Sequence, residues 1–599
     1  MIFGIDFGTT FTVVSWVKNG RLEFLDWSKP GQNGGVYEAI ARDARPEQNS
    51  GVYEAEYGQN GEFLKPTQLN GIKNIKRLIA QNSYNLENDN ALIYKTTRDF
   101  FLKVHNQILG HLGGVQEDSV DEKDSKFETD FLDCVLTVPA RFDDVARNAI
   151  RSAAISAGFR VIKLLTEPVA ASIAVLSDFE NLNIKNTARM AESTQPSQGM
   201  PGPSSMEEST QPSQGTPDTA KKEGFNKSFL NVSEGSKMAT FPQNNLEKSI
   251  NIQKIGKKNG YYLVYDLGGG TFDLSLLKFE NGIFQVIAID GLANFGMTDV
   301  DEIIAQNLQI SLENAENFRS EIFDRDDGDS VKSAILAAFE RTYKIVEKML
   351  AEQNFSAEEI VGLILAGGGS RSAPIKGHFS GIFNVIESES PDLLVSAGAA
   401  IYGNFTSCHF LEKNDKFDQN SITKDTKTGQ NSGDYEAIEN KTILIDAIPF
   451  DLGLETLGDK IEVLIPKNSP LPYFCTEYFS PKSKVVKLNI LQGISKKASE
   501  CTSLAHLEIE ANEKFSVTFM LDLDGILSIK VGEQVVVVSS KNYFSKPNAQ
   551  IQEWYEKLAK IAEKTKEQEK IFDYLAQALN IELSDSAFDW LKNRVEKIL

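Results

Sequence analysis

Two short segments of the sequence combine residue types that suit the binding of phosphate. Residues Asp6-Phe7-Gly8-Thr9-Thr10 and Asp266-Leu267-Gly268-Gly269-Gly270-Thr271 each follow an apolar run. Glycine lets the backbone close around an anion so that successive N–H groups point at its oxygens, and threonine hydroxyls add donors. An Asp at a strand end can hold Mg²⁺, directly or through water. One such loop is more often only a tight turn, but two that face each other would clamp a β- and a γ-phosphate.

A third glycine run, Gly367-Gly368-Gly369, follows the apolar residues 363–365. The sequence has no GxxxxGK[ST] motif, which excludes a P-loop protein. The two loops and the third run together predict a nucleotide site that is assembled from separate strand ends.

The elements around these loops predict an α/β domain over 1–404. Strand patterns at 1–5, 134–138, 261–265 and 363–365 alternate with helical stretches such as 144–157. A segment rich in Ser, Pro, Gln and Gly at 181–258 cannot bury enough apolar surface to order itself, so we predict an insertion there.

The pattern changes in the last third of the chain. We assign 405–448 to an insertion and a linker. Short alternating runs within 449–545 predict an antiparallel β unit. Over 546–599, apolar residues recur at helical spacing among Glu and Lys and predict a helical tail.

Composition and charge limit the classes of function. The chain has 599 residues, 41% of them hydrophobic and 24% charged, which supports sizeable cores. A net charge of −22 repels nucleic acid and anionic membranes. No signal peptide begins the chain, no apolar run approaches the ~18 residues of a membrane span, and no CxxC occurs. We therefore predict a cytoplasmic protein with no nucleic acid or membrane partner.

Jointly, eight motifs resemble the Hsp70 chaperone family. They are GIDFGTT at 4–10, IKRL at 75–78, TVPA at 137–140, EPVAA at 167–171, DLGGGTFD at 266–273, GGGSR at 367–371, GAA at 398–400 and LGLET at 452–456. The resemblance covers nearly the whole chain apart from the insertions. It implies a duplicated actin-like ATPase, a linker, a β-sandwich for peptides and a short helical lid. Within the family, 142–144, 164–168, 447–456 and 500–505 are most similar to the HscA-type chaperones of iron–sulfur cluster assembly.

The resemblance implies ATP, Mg²⁺ and K⁺ as ligands and assigns a role to each matching residue. Asp6 and Asp266 would hold Mg²⁺ through water, and Lys76 would position the attacking water. Positioning and electrostatics supply most of the catalysis in phosphoryl transfer, so a lysine with carboxylates and Mg²⁺ suffices. The implied catalytic set is Lys76, Glu167, Asp266, Thr271 and Asp273. The implied ATP-binding set is Asp6, Gly8, Thr9, Thr10, Gly268, Gly269, Gly270, Glu316, Arg319, Gly367, Gly368 and Arg371.

The residues alone leave Glu316 and Arg319 open. They lie one helical turn apart, and an ordinary surface ion pair explains them nearly as well as a contact with adenosine.

The family's coupling and peptide residues also have counterparts. Pro139 and Arg147 match the switch that senses nucleotide, and residues 443–446, ending in Asp446, match the linker that docks on the ATPase when ATP is bound. The positions that align with the peptide groove are Leu454, Leu457, Phe479, Val486 and Leu488. Without the resemblance, each of these five would be assigned to the core.

Several positions depart from the family's pattern. Phe11 replaces an Asn, Met297 replaces a Gly in a phosphate-side turn, and Arg141 replaces the Tyr that relays the nucleotide state. Arg141 therefore leaves the strength of coupling open. The segment between Arg319 and Arg341 is short, which predicts weak nucleotide retention and no need for an exchange factor. The short tail predicts fast peptide release.

Three hypotheses follow. The leading one is a monomeric ATP-dependent chaperone that binds an iron–sulfur scaffold protein and is stimulated by a J-domain co-chaperone. The second is a general Hsp70 for unfolded chains. The third, which the departures at Phe11, Arg141 and Met297 keep open, is an ATP-binding interaction protein that no longer hydrolyses.

Overall fold

The computed structural model describes most of the two predicted lobes, the β unit and the tail. The described residues are 1–18, 20–25, 27, 65–66, 75–82, 90–113, 132–177, 258–319, 321–323, 329–412, 443–481, 484–511, 513–531, 534–537, 548–579 and 581–599. The insertion predicted at 181–258 lies, but for its last residue, outside them, and so do 413–442 of the predicted insertion and linker.

The first lobe is built on a mixed sheet. Its strands are Ile2–Phe7 (β1), Phe11–Lys18 (β2), Arg21–Phe24 (β3), Lys65–Pro66 (β4), Leu132–Val138 (β5) and Phe159–Thr166 (β6). They run in the order β3-β2-β1-β5-β6, with β4 on β2. β1 and β2 pair antiparallel, whereas β1, β5 and β6 are parallel. The sheet core is apolar because helices cover it, and every residue of β5 is buried.

The second lobe repeats this plan. Its strands are Gly260–Leu267 (β7), Phe272–Glu280 (β8), Ile283–Leu292 (β9), Ile360–Ala366 (β10), Val385–Ile386 (β11) and Ile443–Ile445 (β12). The order is β11-β10-β7-β8-β9-β12. β7 and β8 pair antiparallel, and β7, β10 and β11 are parallel. The turn of the first hairpin in each lobe carries one of the two glycine–threonine loops, so the loops occupy equivalent positions.

Nine helices surround these sheets in the described residues. They are Ile75–Asn82 (α1), Asn90–Gly113 (α2), Asp144–Ser156 (α3), Glu167–Leu176 (α4), Met297–Leu308 (α5), Leu312–Phe318 (α6), Asp329–Gln353 (α7), Ala373–Ser380 (α8) and Leu394–Glu412 (α9). α9 continues past the domain boundary predicted at 404. It packs on α4 at Gly398, where an added Cβ would lie 1.7 Å from the carbonyl oxygen of Ala170.

The alternating runs of the last third form two antiparallel sheets. Their strands are Asp451–Thr456 (β13), Lys460–Ile465 (β14), Tyr473–Phe479 (β15), Val485–Gly493 (β16), Thr502–Glu510 (β17), Phe515–Leu521 (β18), Leu527–Val531 (β19) and Gln534–Val537 (β20). The orders are β14-β13-β16-β17 and β15-β18-β19-β20. Buried residues of both sheets form one apolar cluster.

The tail forms three helices, Ala549–Ala559 (α10), Lys566–Ala578 (α11) and Asp585–Ile598 (α12). Their buried side chains join the core of the first lobe, not that of the β unit. Tyr574 is fully buried and its hydroxyl donates to the carbonyl of Ile155 at 2.8 Å. The Gln577 amide bonds both the N–H and the carbonyl of Val161, at 3.2 Å each, on the edge strand β6. The tail therefore protects a sheet edge.

The β unit docks on the first lobe through polar contacts. A carboxylate oxygen of Asp524 accepts the N–H of Leu164 at 3.1 Å and the ammonium of Lys163 at 3.0 Å. Asp144 on α3 accepts the N–H of Leu527 at 2.9 Å. The linker strand β12 pairs in parallel with β9. No helix among the described residues combines the length and the apolar character that a membrane span requires.

Candidate functional site

A cavity of about 410 Å³ is lined by both lobes and gathers most of the predicted ATP site. The predicted residues on its wall are Asp6, Gly8, Thr9, Thr10, Lys76, Glu167, Asp266, Gly268, Gly269, Thr271, Glu316, Arg319, Gly367, Gly368 and Arg371. Two predicted residues lie behind the wall. Gly270 contacts Thr9, and Asp273 pairs across strands with Asp266.

The two glycine–threonine loops face each other closely, and glycine makes the approach possible. A Cβ on Gly269 would lie 1.8 Å from the hydroxyl oxygen of Thr10, and one on Gly270 would lie 2.5 Å from a methyl of Thr9. The Gly268 N–H donates to the Thr271 carbonyl at 3.0 Å, which closes the second loop on itself. Any larger residue at 269 or 270 would therefore separate the loops.

The start of α5 supports the second loop from behind. The N–H groups of Met297 and Thr298 donate to the carbonyls of Gly268 and Gly269, at 3.0 and 2.8 Å. Met297 is buried. Both Met297 and Phe11 line the cavity. Both departures from the family's pattern are therefore at the site itself.

The floor of the cavity is acidic. The ammonium of Lys76 is buried and forms an ion pair with Glu167. Burial and the Glu167 charge raise the pKa of Asp6 and of Asp273 to about 7, although Lys76 opposes both shifts. Burial, with Glu167 next, also raises the pKa of Asp266 well above its usual range. Four carboxyl groups share one ammonium group, so a bound cation would stabilise their charged forms.

The arrangement fits a metal held mainly by phosphate and water. Among the described residues, no three His, Cys, Asp or Glu side chains form a group able to hold a metal directly. One carboxylate oxygen of Asp273 is buried without a hydrogen-bond partner in the described part of the chain. Outer-sphere water is the partner that such an orphaned oxygen needs.

One end of the cavity combines paired arginines with apolar side chains. Arg371 forms an ion pair with Asp392, and Arg319 lies 3.1 Å from Asp301. Arg319 also lies 3.7 Å from Glu316, so the expected surface pair exists, although both residues line the cavity. Apolar residues that the sequence did not single out complete this end: Val300, Ile322, Phe323, Ile335, Phe339 and Val395.

Two of the three predicted coupling residues, Arg147 and Asp446, contact the β unit. The Arg147 guanidinium donates to the Asp524 carbonyl and to the Ala140 carbonyl, at 3.3 Å each. Pro139 directly precedes Ala140, and its carbonyl accepts the N–H of Phe142. Asp446 is buried, and its carbonyl accepts the N–H of Leu471 at 2.8 Å.

The predicted peptide-groove residues differ in their surroundings. Leu454 and Leu488 belong to the core of the β unit. Phe479 and Val486 are half-buried against that core. Leu457 is 99% exposed at the turn between β13 and β14 and is the one member of the set that the β unit leaves open.

Comparison with known proteins gives the class of this chain. The sequence model of the family described as Hsp70 protein matches residues 84–179, 250–322 and 428–596, more than half of the chain. The chain belongs to the Hsp70 family, with its fold of mixed α/β sheets.

Curated relatives are named chaperone protein HscA homolog. The protein of Rickettsia prowazekii is 27% identical over 459 residues, which cover 72% of this chain and 59% of the relative. That of Paracidovorax citrulli is 25% identical, over 90% of this chain and 77% of the relative. That of Acinetobacter baylyi is 24% identical, over 88% and 75%. The match therefore spans between about three fifths and three quarters of these relatives.

Asp392, like Asp301, is an acidic residue of the cavity that sequence reasoning missed. Asp392 lies in the cavity wall and pairs with Arg371. Its only sequence signal is the Pro391-Asp392 step before α9, which is common at helix starts and points to no ligand.

Proposed function

We propose that this protein is an ATP-dependent Hsp70-type chaperone in which hydrolysis between the lobes controls peptide binding by the β unit. The observation that carries the proposal is the pair of facing glycine–threonine loops above an acidic floor with a buried Lys76–Glu167 pair. The resemblance to HscA-type chaperones, a name that the curated relatives carry, implies a scaffold protein of iron–sulfur cluster assembly as client. A J-domain co-chaperone, a monomeric state and a cytoplasmic location belong to the same proposal.

The chain's own residues divide the work of hydrolysis. The N–H of Gly269, the backbone of Gly268 beside it and the hydroxyls of Thr9, Thr10 and Thr271 would surround the terminal phosphates, because these groups meet across the narrow gap between the loops.

Lys76 holds the attacking water and offsets the negative charge that develops on the phosphoryl oxygens. Its buried pairing with Glu167 fixes the ammonium in place. Asp6 and Asp266 would hold Mg²⁺ through water, together with K⁺, and the bound cations would neutralise phosphate charge. Asp273 orders water at the floor.

The test is single-turnover ATP hydrolysis with and without a Leu-Pro-Pro-Val-Lys peptide, the scaffold motif implied by the family resemblance. We expect turnover to rise with peptide and to fall about 10²–10³-fold in Lys76→Ala, which should still bind ATP. Lys278→Ala is the control, because this lysine forms an ion pair with Glu280 at the exposed end of β8 and does not belong to the lining of the cavity.

Other outcomes would change the assignment. Turnover that ignores this peptide but responds to unfolded chains would favour a general Hsp70. ATP binding without turnover would favour the non-hydrolysing interaction protein.

A further inference from the structure

The side chain of Arg141 joins three parts of the molecule. Arg141 lies in the first lobe, in the turn after β5. Its guanidinium donates to a carboxylate oxygen of Asp290 at 2.9 Å and to the carbonyl of Gly291 at 2.7 Å, both on β9 of the second lobe. The guanidinium carbon also lies 5.4 Å from the ring centroid of Phe450, directly before β13 of the β unit. One residue thus contacts both lobes and the β unit.

Asp290, the carboxylate that pairs with Arg141, is held by further contacts. Asp290 is buried, and its second oxygen accepts the ammonium of Lys348 on α7 at 3.0 Å. Burial alone would raise the pKa of Asp290, but the Gly291 N–H, Lys348 and Arg141 hold it below its usual range. Gly291 has φ +149, and an added Cβ would lie 2.2 Å from the Phe272 carbonyl. Asp290 and Gly291, the two residues that accept hydrogen bonds from Arg141, therefore move together with β9.

The same turn reaches the acidic floor of the ATP cavity. The Arg141 N–H donates to a carboxylate oxygen of Asp273 at 3.3 Å. Across the β8–β9 pair, Asp273 lies opposite Gly291 and Leu274 lies opposite Asp290. The backbone of Arg141 therefore contacts the floor, while its side chain contacts the next strand.

These contacts depend on how far apart the two lobes lie. Arg141 moves with the first lobe, whereas Asp273, Asp290 and Gly291 move with the second. Separation of the lobes would withdraw Asp290 from the guanidinium, which would then lose the position that sets it against the Phe450 ring. A cation over an aromatic face is attracted only within about 6 Å of the centroid, so a small displacement removes the contact.

We propose that Arg141 is a positioning residue that transmits closure of the lobes to the β unit through its contact with the Phe450 ring. This inference rests on the proposed chaperone function and gives Arg141 a role in the coupling whose strength the sequence left open. Arg141, which replaces the family's Tyr, connects the lobes to the β unit in its own way: Asp290 fixes its guanidinium, and the guanidinium contacts the ring of Phe450.

The clean test removes the ring and keeps an apolar side chain. In Phe450→Leu we expect unchanged basal hydrolysis and a loss of about 3- to 10-fold in peptide stimulation, the range of a partly desolvated cation–π contact. Phe450→Tyr keeps the ring and should retain stimulation. Arg141→Gln should lose a similar factor, and the double variant with Phe450→Leu should lose no more. Phe474→Leu is the control, because Phe474 is an exposed aromatic of the same unit.

Amide hydrogen exchange of 447–456 with ATP and with ADP gives a readout that is independent of turnover. We expect protection by ATP in the wild type and in Phe450→Tyr, but less in Phe450→Leu. The inference would be overturned if Phe450→Leu and Phe474→Leu showed the same peptide stimulation of hydrolysis and the same amide exchange of 447–456, even with an active wild type. A wild type that binds no ATP, or whose protection ignores nucleotide, would overturn the proposed function and this inference with it.

Discussion

Arg77 should control how long nucleotide stays bound, because it ties the two lobes across the cavity. It follows Lys76 on α1, and its guanidinium donates to both carboxylate oxygens of Asp299 on α5, at 3.1 and 3.2 Å. Asp299 also accepts the N–H of Gly296 at 2.9 Å, at the start of the helix that supports the second phosphate loop. The pair therefore links the helix of Lys76 to the loop across from it.

The expected magnitude follows from exposure and geometry. The two side chains are 17% and 21% exposed, so water screens them partly. A fully exposed ion pair contributes about 0–1 kcal/mol, and hydrogen bonds to charged groups about 1.5–3 kcal/mol. A two-pronged, partly buried pair should thus contribute about 1–2 kcal/mol. Because the pair spans the lobes, this free energy belongs to the closed state, and its loss corresponds to about 5- to 30-fold weaker nucleotide binding.

Stopped-flow release of a fluorescent ADP measures this effect directly. We expect Arg77→Ala to release ADP about 5- to 30-fold faster, with a melting temperature close to that of the wild type, since each lobe keeps its own core. Arg98→Ala is the control: the Arg98–Asp99 pair has similar exposure but lies within α2. A release rate within twofold of the wild type, or an equal change in Arg98→Ala, would refute the reasoning.

Three further predictions concern pH, packing and the tail. Burial raises the pKa of Asp144 to about 7, so the folded state binds this proton more tightly than the unfolded chain and loses stability as pH rises from about 4 to about 7; Asp144→Asn should flatten that part of the melting curve against pH, and an unchanged slope would contradict it. Gly398→Ala should destabilise by more than about 2 kcal/mol because its Cβ meets backbone, whereas Gly377→Ala, which meets nothing within 4 Å, should stabilise slightly in thermal melts. Gln577→Leu should speed amide exchange at Val161 on the sheet edge, and unchanged protection there would count against the tail as edge cover.

The parts of the site that act through their own backbone could be predicted from the sequence. A glycine–threonine loop binds through groups within a few residues, so Gly268 and Thr10 carry their chemistry in their local spacing. The alternation of apolar residues within 449–545 likewise indicated strands, because the side-chain period of two is local. The Hsp70 resemblance was confirmed by the family match.

The parts that depend on distant partners could not be predicted in this way. The sequence left the consequence of Arg141 open, because its guanidinium pairs with Asp290, 149 residues away. Asp392 enters the cavity only because α9 returns to the first lobe. The helical tail was predicted as a short lid, but its buried face joins the first lobe through contacts such as that of Tyr574 with Ile155, 419 residues away.

The sequence by itself thus indicated the two glycine–threonine loops, the order of α/β lobes, β unit and helical tail, and the family. The tertiary structure alone decided which charge pairs with which, how far the acidic floor is desolvated, and which surface the tail covers. The physical reason is that glycine conformations and hydrophobic periodicity act over a few residues, whereas burial and ion pairing are set by groups that meet only after the chain has folded.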